Sequence, residues 1–135
     1  MDGRAFLDIA REVVRGTTEA HRRATIGHAY YALMLECRDA LGRWGIPVPR
    51  RDVHAFVRLK LLYAGDPDLK SLGDFLDRLS PWRNAATYQL AASPVYATSA
   101  RALKAIQYAD DGLALLDQID SDPGRRAAAI ATIPP

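Results

Sequence analysis

A long stripe of apolar residues constrains the fold of this chain more than any other feature. Between residues 26 and 44 the large apolar side chains recur at steps of three and four: Ile26, Tyr30, Leu33, Met34, Cys37, Leu41 and Trp44. This spacing places them on one side of an α-helix, which we predict from about Glu19 to Trp44. A helix of this length must cover its stripe with several other elements.

The remaining segments show the same helical spacing. We predict further helices over Arg4 to Val14, Arg50 or Asp52 to Tyr63, a fourth from the Leu69 region to Leu90, and about Ala100 to Ile119. In the first helix, Phe6, Ile9, Val13 and Ala10 are expected to face the core. In the fourth, Ser80-Pro81 indicates either a kink or a restart with Ser80 as N-cap.

These segments predict one domain. No run of alternating apolar and polar residues indicates a strand, so the predicted fold is all-α, an up-down bundle of four to five helices over residues 1–120. Residues 121–135 contain Asp-Pro-Gly and end in Pro-Pro, which predicts a flexible C-terminal tail.

Composition narrows the possible functions. Of the 135 residues, 49% are hydrophobic and 25% are charged, which is typical of a globular domain. Cys37 is the single cysteine, so no internal disulfide and no zinc site with two thiolates can form. No segment resembles a signal peptide or a membrane span. We therefore expect a cytoplasmic protein without membrane attachment.

Charge is distributed unevenly along the chain. Residues 1–60 contain 11 Lys and Arg against 7 Asp and Glu, whereas residues 61–135 contain 7 against 9. The first half is therefore basic, which is compatible with a polyanionic partner such as RNA.

The segment from Arg83 to Leu90 contains the candidate site. On a helix, Arg83, Asn84 and Tyr88 lie along one polar flank, because residues four apart are neighbours. An ordinary surface helix shows the same pattern. The sequence is therefore compatible with both a functional site and an ordinary surface helix.

Two motifs resemble the HEPN superfamily of small helical bundles. One is the Tyr-Tyr-Ala sequence within Ile26 to Met34, and the other is the Arg-Asn-Ala-Ala-Thr-Tyr sequence from Arg83 to Tyr88. The second is similar to an Arg-x-x-Ala-Asp-Tyr helix of a bacterial branch of that superfamily. His54, at the start of the third predicted helix, falls where that branch often has a histidine.

The resemblance implies RNA chemistry. Active HEPN proteins are metal-independent ribonucleases with an arginine followed, after four to six residues, by a histidine. The histidine would activate the ribose 2′-hydroxyl or protonate the leaving oxygen, and the arginine would stabilise charge on the phosphorus oxygens. The resemblance therefore implies catalytic roles for Arg83 and Asn84, with no cofactor and no metal.

The sequence departs from this pattern at two positions. Tyr88 stands where the histidine is expected and Thr87 where the branch has aspartate. A phenol with a pKa near 10 is a poor base at neutral pH, so the catalytic role expected of Tyr88 is to donate a proton or to orient a phosphate. His28 or His54 is a possible contributor that would replace the missing histidine.

The resemblance also implies partners. HEPN proteins often form homodimers. His21, His28 and Leu35 recur every seven residues on the second helix, which indicates either a dimer interface or ordinary exposed residues. The first hypothesis is a toxin or defence component that cleaves RNA and is restrained by a nucleotidyltransferase-type antitoxin. The alternative is a non-catalytic HEPN module for dimerisation or partner binding.

Overall fold

The fold consists entirely of helices. The computed structural model describes residues 2–135, and these contain no β-strand. They form six α-helices and one short 3₁₀ helix, Pro94–Ala97: α1 Arg4–Val13, α2 Glu19–Arg43, α3 Val53–Leu62, α4 Pro67–Tyr88, α5 Ala100–Ser121 and α6 Pro123–Ile130. The predicted all-α class is therefore confirmed. No helix in this part of the chain combines the length and the apolar content needed to cross a membrane.

The long helix α2 is the centre of the bundle, and α1, α3, α4 and α5 all pack against it. Its predicted bounds are confirmed to within one residue. The side chain of Thr18 caps its start by accepting a hydrogen bond from the His21 amide. At its end Gly45 adopts a positive φ of 83°, and the Ile46 amide donates to the Leu41 carbonyl. This is a Schellman C-cap, in which glycine is favoured.

Helices α3 and α4 form a hairpin that carries two candidate residues, His54 and Arg83. The Asp66 carboxylate caps α4 by accepting from the amides of Asp68 and Leu69. The helix then runs without interruption through Pro81 and ends at Tyr88. Ser80 is therefore inside a continuous helix and is not an N-cap.

Helix α1 covers one side of α2, which corrects two expectations. Ile9 is 41% exposed and Leu7 is buried in its place, whereas Ala10 is buried as expected. The Phe6 ring stacks on His28 with 5.9 Å between centroids. A Cβ added at Gly3 would lie 3.2 Å from the Leu35 Cβ. The α2 face suggested as a dimer seam is thus largely occupied by α1 of the same chain.

The C-terminal segment also differs from the expected flexible tail. Asp122 caps α6 by accepting from the amides of Gly124 and Arg125. Arg125 forms ion pairs with Asp66 and Asp68 at the start of α4, at 2.7 and 2.8 Å. Ala129 is fully buried, and the Gly65 amide donates to the Thr132 carbonyl. Tertiary contacts therefore order a segment whose local sequence resembles a loop.

Candidate functional site

Four side chains from three helices meet at one point of the bundle. Tyr30 and Tyr31 come from α2, His54 from the first turn of α3, and Arg83 from α4. We call these four residues the Arg83 cluster. The guanidinium carbon of Arg83 lies 5.0 Å from the ring centroid of Tyr30 and 5.3 Å from that of Tyr31. Both distances are in the range of cation–π interactions.

His54 completes the cluster through two polar contacts. Its Nδ1 lies 2.5 Å from the Tyr30 hydroxyl and 3.4 Å from Arg83 Nη2. The imidazole also stacks on Tyr30, with 5.6 Å between ring centroids. Arg83 can only donate, so its contact favours the tautomer in which Nδ1 accepts and Nε2 bears the proton.

The surroundings keep His54 and Tyr30 uncharged at neutral pH. Burial lowers the pKa of His54 below the ordinary histidine value, and the positive charge of Arg83 lowers it further. Burial raises the pKa of Tyr30, and the nearby Arg83 offsets only part of this increase. Arg83 is therefore the charged group of the cluster.

The backbone before α3 determines where His54 lies. Asp52, the residue before α3, has φ 55° and ψ 36°, which is the left-handed region. Aspartate tolerates this conformation better than most residues. The turn leads directly into Val53 and His54, so His54 occupies the first turn of α3 against α2 and α4.

The structure brings together only part of the predicted site. Arg83 and His54 meet, but Asn84 is exposed and Tyr88 is 70% exposed near the end of α4. Within residues 2–135 no hydrogen bond joins Tyr88 to Arg83. His28 packs on Phe6, and no hydrogen bond joins it to Arg83 among the described residues.

The sequence-based site omitted Tyr30 and Tyr31, although both belong to the Tyr-Tyr-Ala motif. Their role was hidden because Tyr30 also fits the apolar stripe of α2 and is only 2% exposed. The pairing of two adjacent aromatic residues with a distant arginine was the signal that could have identified them.

Two surface depressions meet at Tyr31. One, of about 660 Å³, is lined by Tyr31 and His54 together with Arg38 and Arg50. Arg38 pairs with Asp39 at 3.0 Å, whereas Arg50 forms no ion pair with any residue in the described range. The other, of about 370 Å³, lies toward α1. The first depression therefore carries two arginines and one acidic residue, Asp52, next to His54.

Metal ligands are not grouped in the part of the chain that the structure describes: no set of three His, Cys, Asp or Glu residues there could hold a metal ion. Cys37 is buried in the core, which raises the pKa of its thiol. The side chains that meet at the candidate site are those of Arg83, His54, Tyr30 and Tyr31.

Comparison with protein-family models, with curated proteins and with solved structures found no match for this chain. The resemblance to HEPN proteins therefore depends on the motifs around Tyr30 and Arg83 and on the helical fold.

Proposed function

We propose that this protein is a HEPN-like, RNA-directed component of the toxin or defence type, with a metal-independent ribonuclease site at the Arg83 cluster. The observation that carries the proposal is the 3.4 Å contact between Arg83 and His54, which come from different helices. His54 takes the place of the histidine that the sequence lacks after Arg83.

The cluster has the groups that phosphodiester cleavage requires. Arg83 provides a permanent positive charge for the phosphorus oxygens. His54 provides a neutral imidazole at the edge of a groove that also carries Arg38 and Arg50. Arg50 is free of ion pairs with the described residues and can therefore contact a neighbouring phosphate.

The reaction needs only RNA and these side chains. The ribose 2′-oxygen attacks the adjacent phosphorus, and the bond from phosphorus to the 5′-oxygen breaks. The products are a 2′,3′-cyclic phosphate and a 5′-hydroxyl, with the leaving oxygen taking a proton from water. When the Arg83 guanidinium turns to the phosphate, its contact with His54 Nδ1 is released. His54 then adopts its other tautomer, in which Nδ1 donates to the Tyr30 hydroxyl and Nε2 is a free base that accepts the 2′-hydroxyl proton.

RNA cleavage in EDTA tests the proposal. Purified protein is incubated with mixed tRNA and mRNA, and products are examined for 2′,3′-cyclic phosphate ends. We expect cleavage by the wild type and a loss of about 100-fold or more in His54→Gln, the range typical of general acid–base groups. Arg83→Lys should also lose activity, because lysine keeps the charge but not the planar fork.

Matched controls separate chemistry from folding. Arg101 is also half-buried, and its guanidinium lies 4.9 Å from the Trp82 ring centroid, so Arg101→Lys repeats the substitution outside the cluster. His21→Gln serves the same purpose for His54, since His21 is exposed near the start of α2. Tyr88→Phe should leave cleavage unchanged. Equal losses in the controls and the cluster variants, or cleavage that stops only in Tyr88→Phe, would refute the assignment.

A second candidate function is a non-catalytic module that binds a second copy or a nucleotidyltransferase-type partner. The specific observation in its favour is a pair of exposed apolar residues at the end of α4: Tyr88 is 70% and Leu90 80% exposed. The Arg83 cluster would then only join α2, α3 and α4. Intact RNA from folded wild-type protein would favour this function, and sedimentation of wild type against Leu90→Ser would test it.

A further inference from the structure

We propose that the depression above Gly27 is a binding slot for one nucleobase. We call it the Gly27 slot; it is lined by Phe6, Gly27, His28, Tyr31, Ala86 and Thr87, among others. The inference rests on the proposed function, because it specifies how a nucleotide would be held next to the Arg83 cluster.

The shape of the slot follows from the glycine. A Cβ added at Gly27 would have no heavy atom within 4 Å, apart from its own helix, so the space above it is open. The open volume of about 370 Å³ falls within the range of about 300–1,000 Å³ typical of small-ligand sites. A side chain at residue 27 would fill this space.

Aromatic rings form one side of the slot. Phe6 stacks on His28 with an interplanar angle of 23°, and the Phe6 and Tyr31 centroids lie 6.1 Å apart, so the three rings make one contiguous aromatic surface. Such a surface favours a planar ligand, and base stacking on aromatic rings tolerates any sequence. In the described chain, neither the His28 ring nitrogens nor the Thr87 hydroxyl makes a hydrogen bond, so both can reach the edge of a base.

Arg23 holds in place the side of the slot that is formed by Ala86 and Thr87. Its guanidinium donates to the carbonyls of Ala85, Ala86 and Gln89 at the end of α4, at 2.6 to 3.1 Å. These bonds fix Ala86 and Thr87 beside Gly27. They also occupy Arg23, so it does not compete for a phosphate.

Tyr31 connects the slot to the candidate catalytic groups. The same ring lines the slot, contacts Arg83, and lies 6.0 Å from the His54 ring centroid. A nucleotide with its base in the slot therefore has its phosphate directed to Arg83. This arrangement selects a nucleotide over an aliphatic or a purely anionic ligand.

Nucleotide titration followed by ¹⁵N–¹H NMR tests the inference. The probes are the four nucleoside 3′-monophosphates, with ribose 5-phosphate as a ligand that lacks the base. We expect saturable shifts at Gly27, His28 and Thr87 in the wild type. In Gly27→Leu the affinity should fall at least tenfold, because the leucine side chain occupies the slot.

The matched control is Gly42→Leu. Gly42 is also on α2, and a Cβ there likewise meets no heavy atom within 4 Å. Both substitutions replace an open helical glycine with a better helix former, so both variants should fold. Gly42→Leu should bind the nucleotides as the wild type does.

Three results would overturn the slot: no saturable binding by the wild type, equal binding by Gly27→Leu, or equal affinity for ribose 5-phosphate. These outcomes are distinct from failure of the proposed function. Nucleotide binding without RNA cleavage would remove only the ribonuclease proposal, whereas RNA cleavage without saturable nucleotide binding would remove only the slot.

Discussion

Gly73 determines how closely α3 can approach α4, and Gly73→Ala should weaken the fold. A Cβ at Gly73 would lie 2.5 Å from the Leu62 backbone nitrogen and 2.9 Å from the Leu62 Cα. The contact is with backbone, so it cannot be relieved by a rotamer change. The two helices must therefore separate by roughly 1 Å to accommodate one methyl group.

The expected cost follows from two opposing terms. Overpacking a well-packed site costs about 1–3 kcal/mol. Alanine in place of a mid-helix glycine recovers about 0.5–1 kcal/mol. We expect a net loss of about 1–2 kcal/mol in the free energy of unfolding, which lowers Tm by about 3–8 °C in a domain of this size.

Urea unfolding followed by circular dichroism measures this effect. Gly42→Ala is the matched control, because a Cβ at residue 42 meets open space. This substitution should stabilise the protein by about 0.5–1 kcal/mol. If Gly73→Ala is as stable as Gly42→Ala, the predicted clash between a Cβ at residue 73 and the α3 backbone is refuted. Gly73→Ala should also reduce RNA cleavage in the proposed reaction, because displacement of α3 moves His54 away from Arg83.

Three further predictions concern single side chains. The pKa of His54 is lowered in the folded state, so below about pH 6.5 the unfolded chain binds more protons than the folded protein. The free energy of unfolding should therefore decrease as the pH is lowered below this value. His54→Gln should flatten this dependence in urea titrations, and parallel curves for both proteins would contradict it. Arg125→Gln removes the ion pairs with Asp66 and Asp68, so amide hydrogen exchange in α6 should accelerate. Unchanged protection would show that these ion pairs do not hold α6 against α4. Cys37 is 1% exposed and should react with a thiol reagent only on unfolding; rapid native labelling would refute its burial.

Helix bounds could be predicted well where local signals agree. For α2, the apolar spacing, the Thr18 cap and the positive φ at Gly45 all act within a few residues. In α1 the core face was predicted only in part, because apolar residues lie on several sides of that helix. Only the contact with α2 selects Leu7 over Ile9 for burial.

The helix α6 was missed because its stability is not local. It is only eight residues long, and Ala129 is its one buried residue. Such a short helix is marginal by itself. The Asp122-Pro123 sequence was a usable N-cap and N1 signal, but the contact of Arg125 with Asp66 cannot be predicted from spacing.

The candidate site, too, could be predicted from the sequence only in part. Arg83 could be selected from the sequence, and His54 was a possible contributor. Asn84 and Tyr88 were selected with Arg83 because they share its helix flank, but that flank turns away from the cluster toward solvent. The role of Tyr31 depends on two other helices and was not predicted.

The sequence alone determined that the chain is all helical and approximately where its long helices begin and end, and it singled out Arg83 and His54 as candidate site residues. These properties depend on residues a few positions apart, which are neighbours on one helix. Only the tertiary structure decided that His54 lies 3.4 Å from Arg83, that α1 covers α2, and that Gly27 has open space above it. Each of these depends on how separate helices pack, and packing is a property of complementary surfaces that no single segment contains.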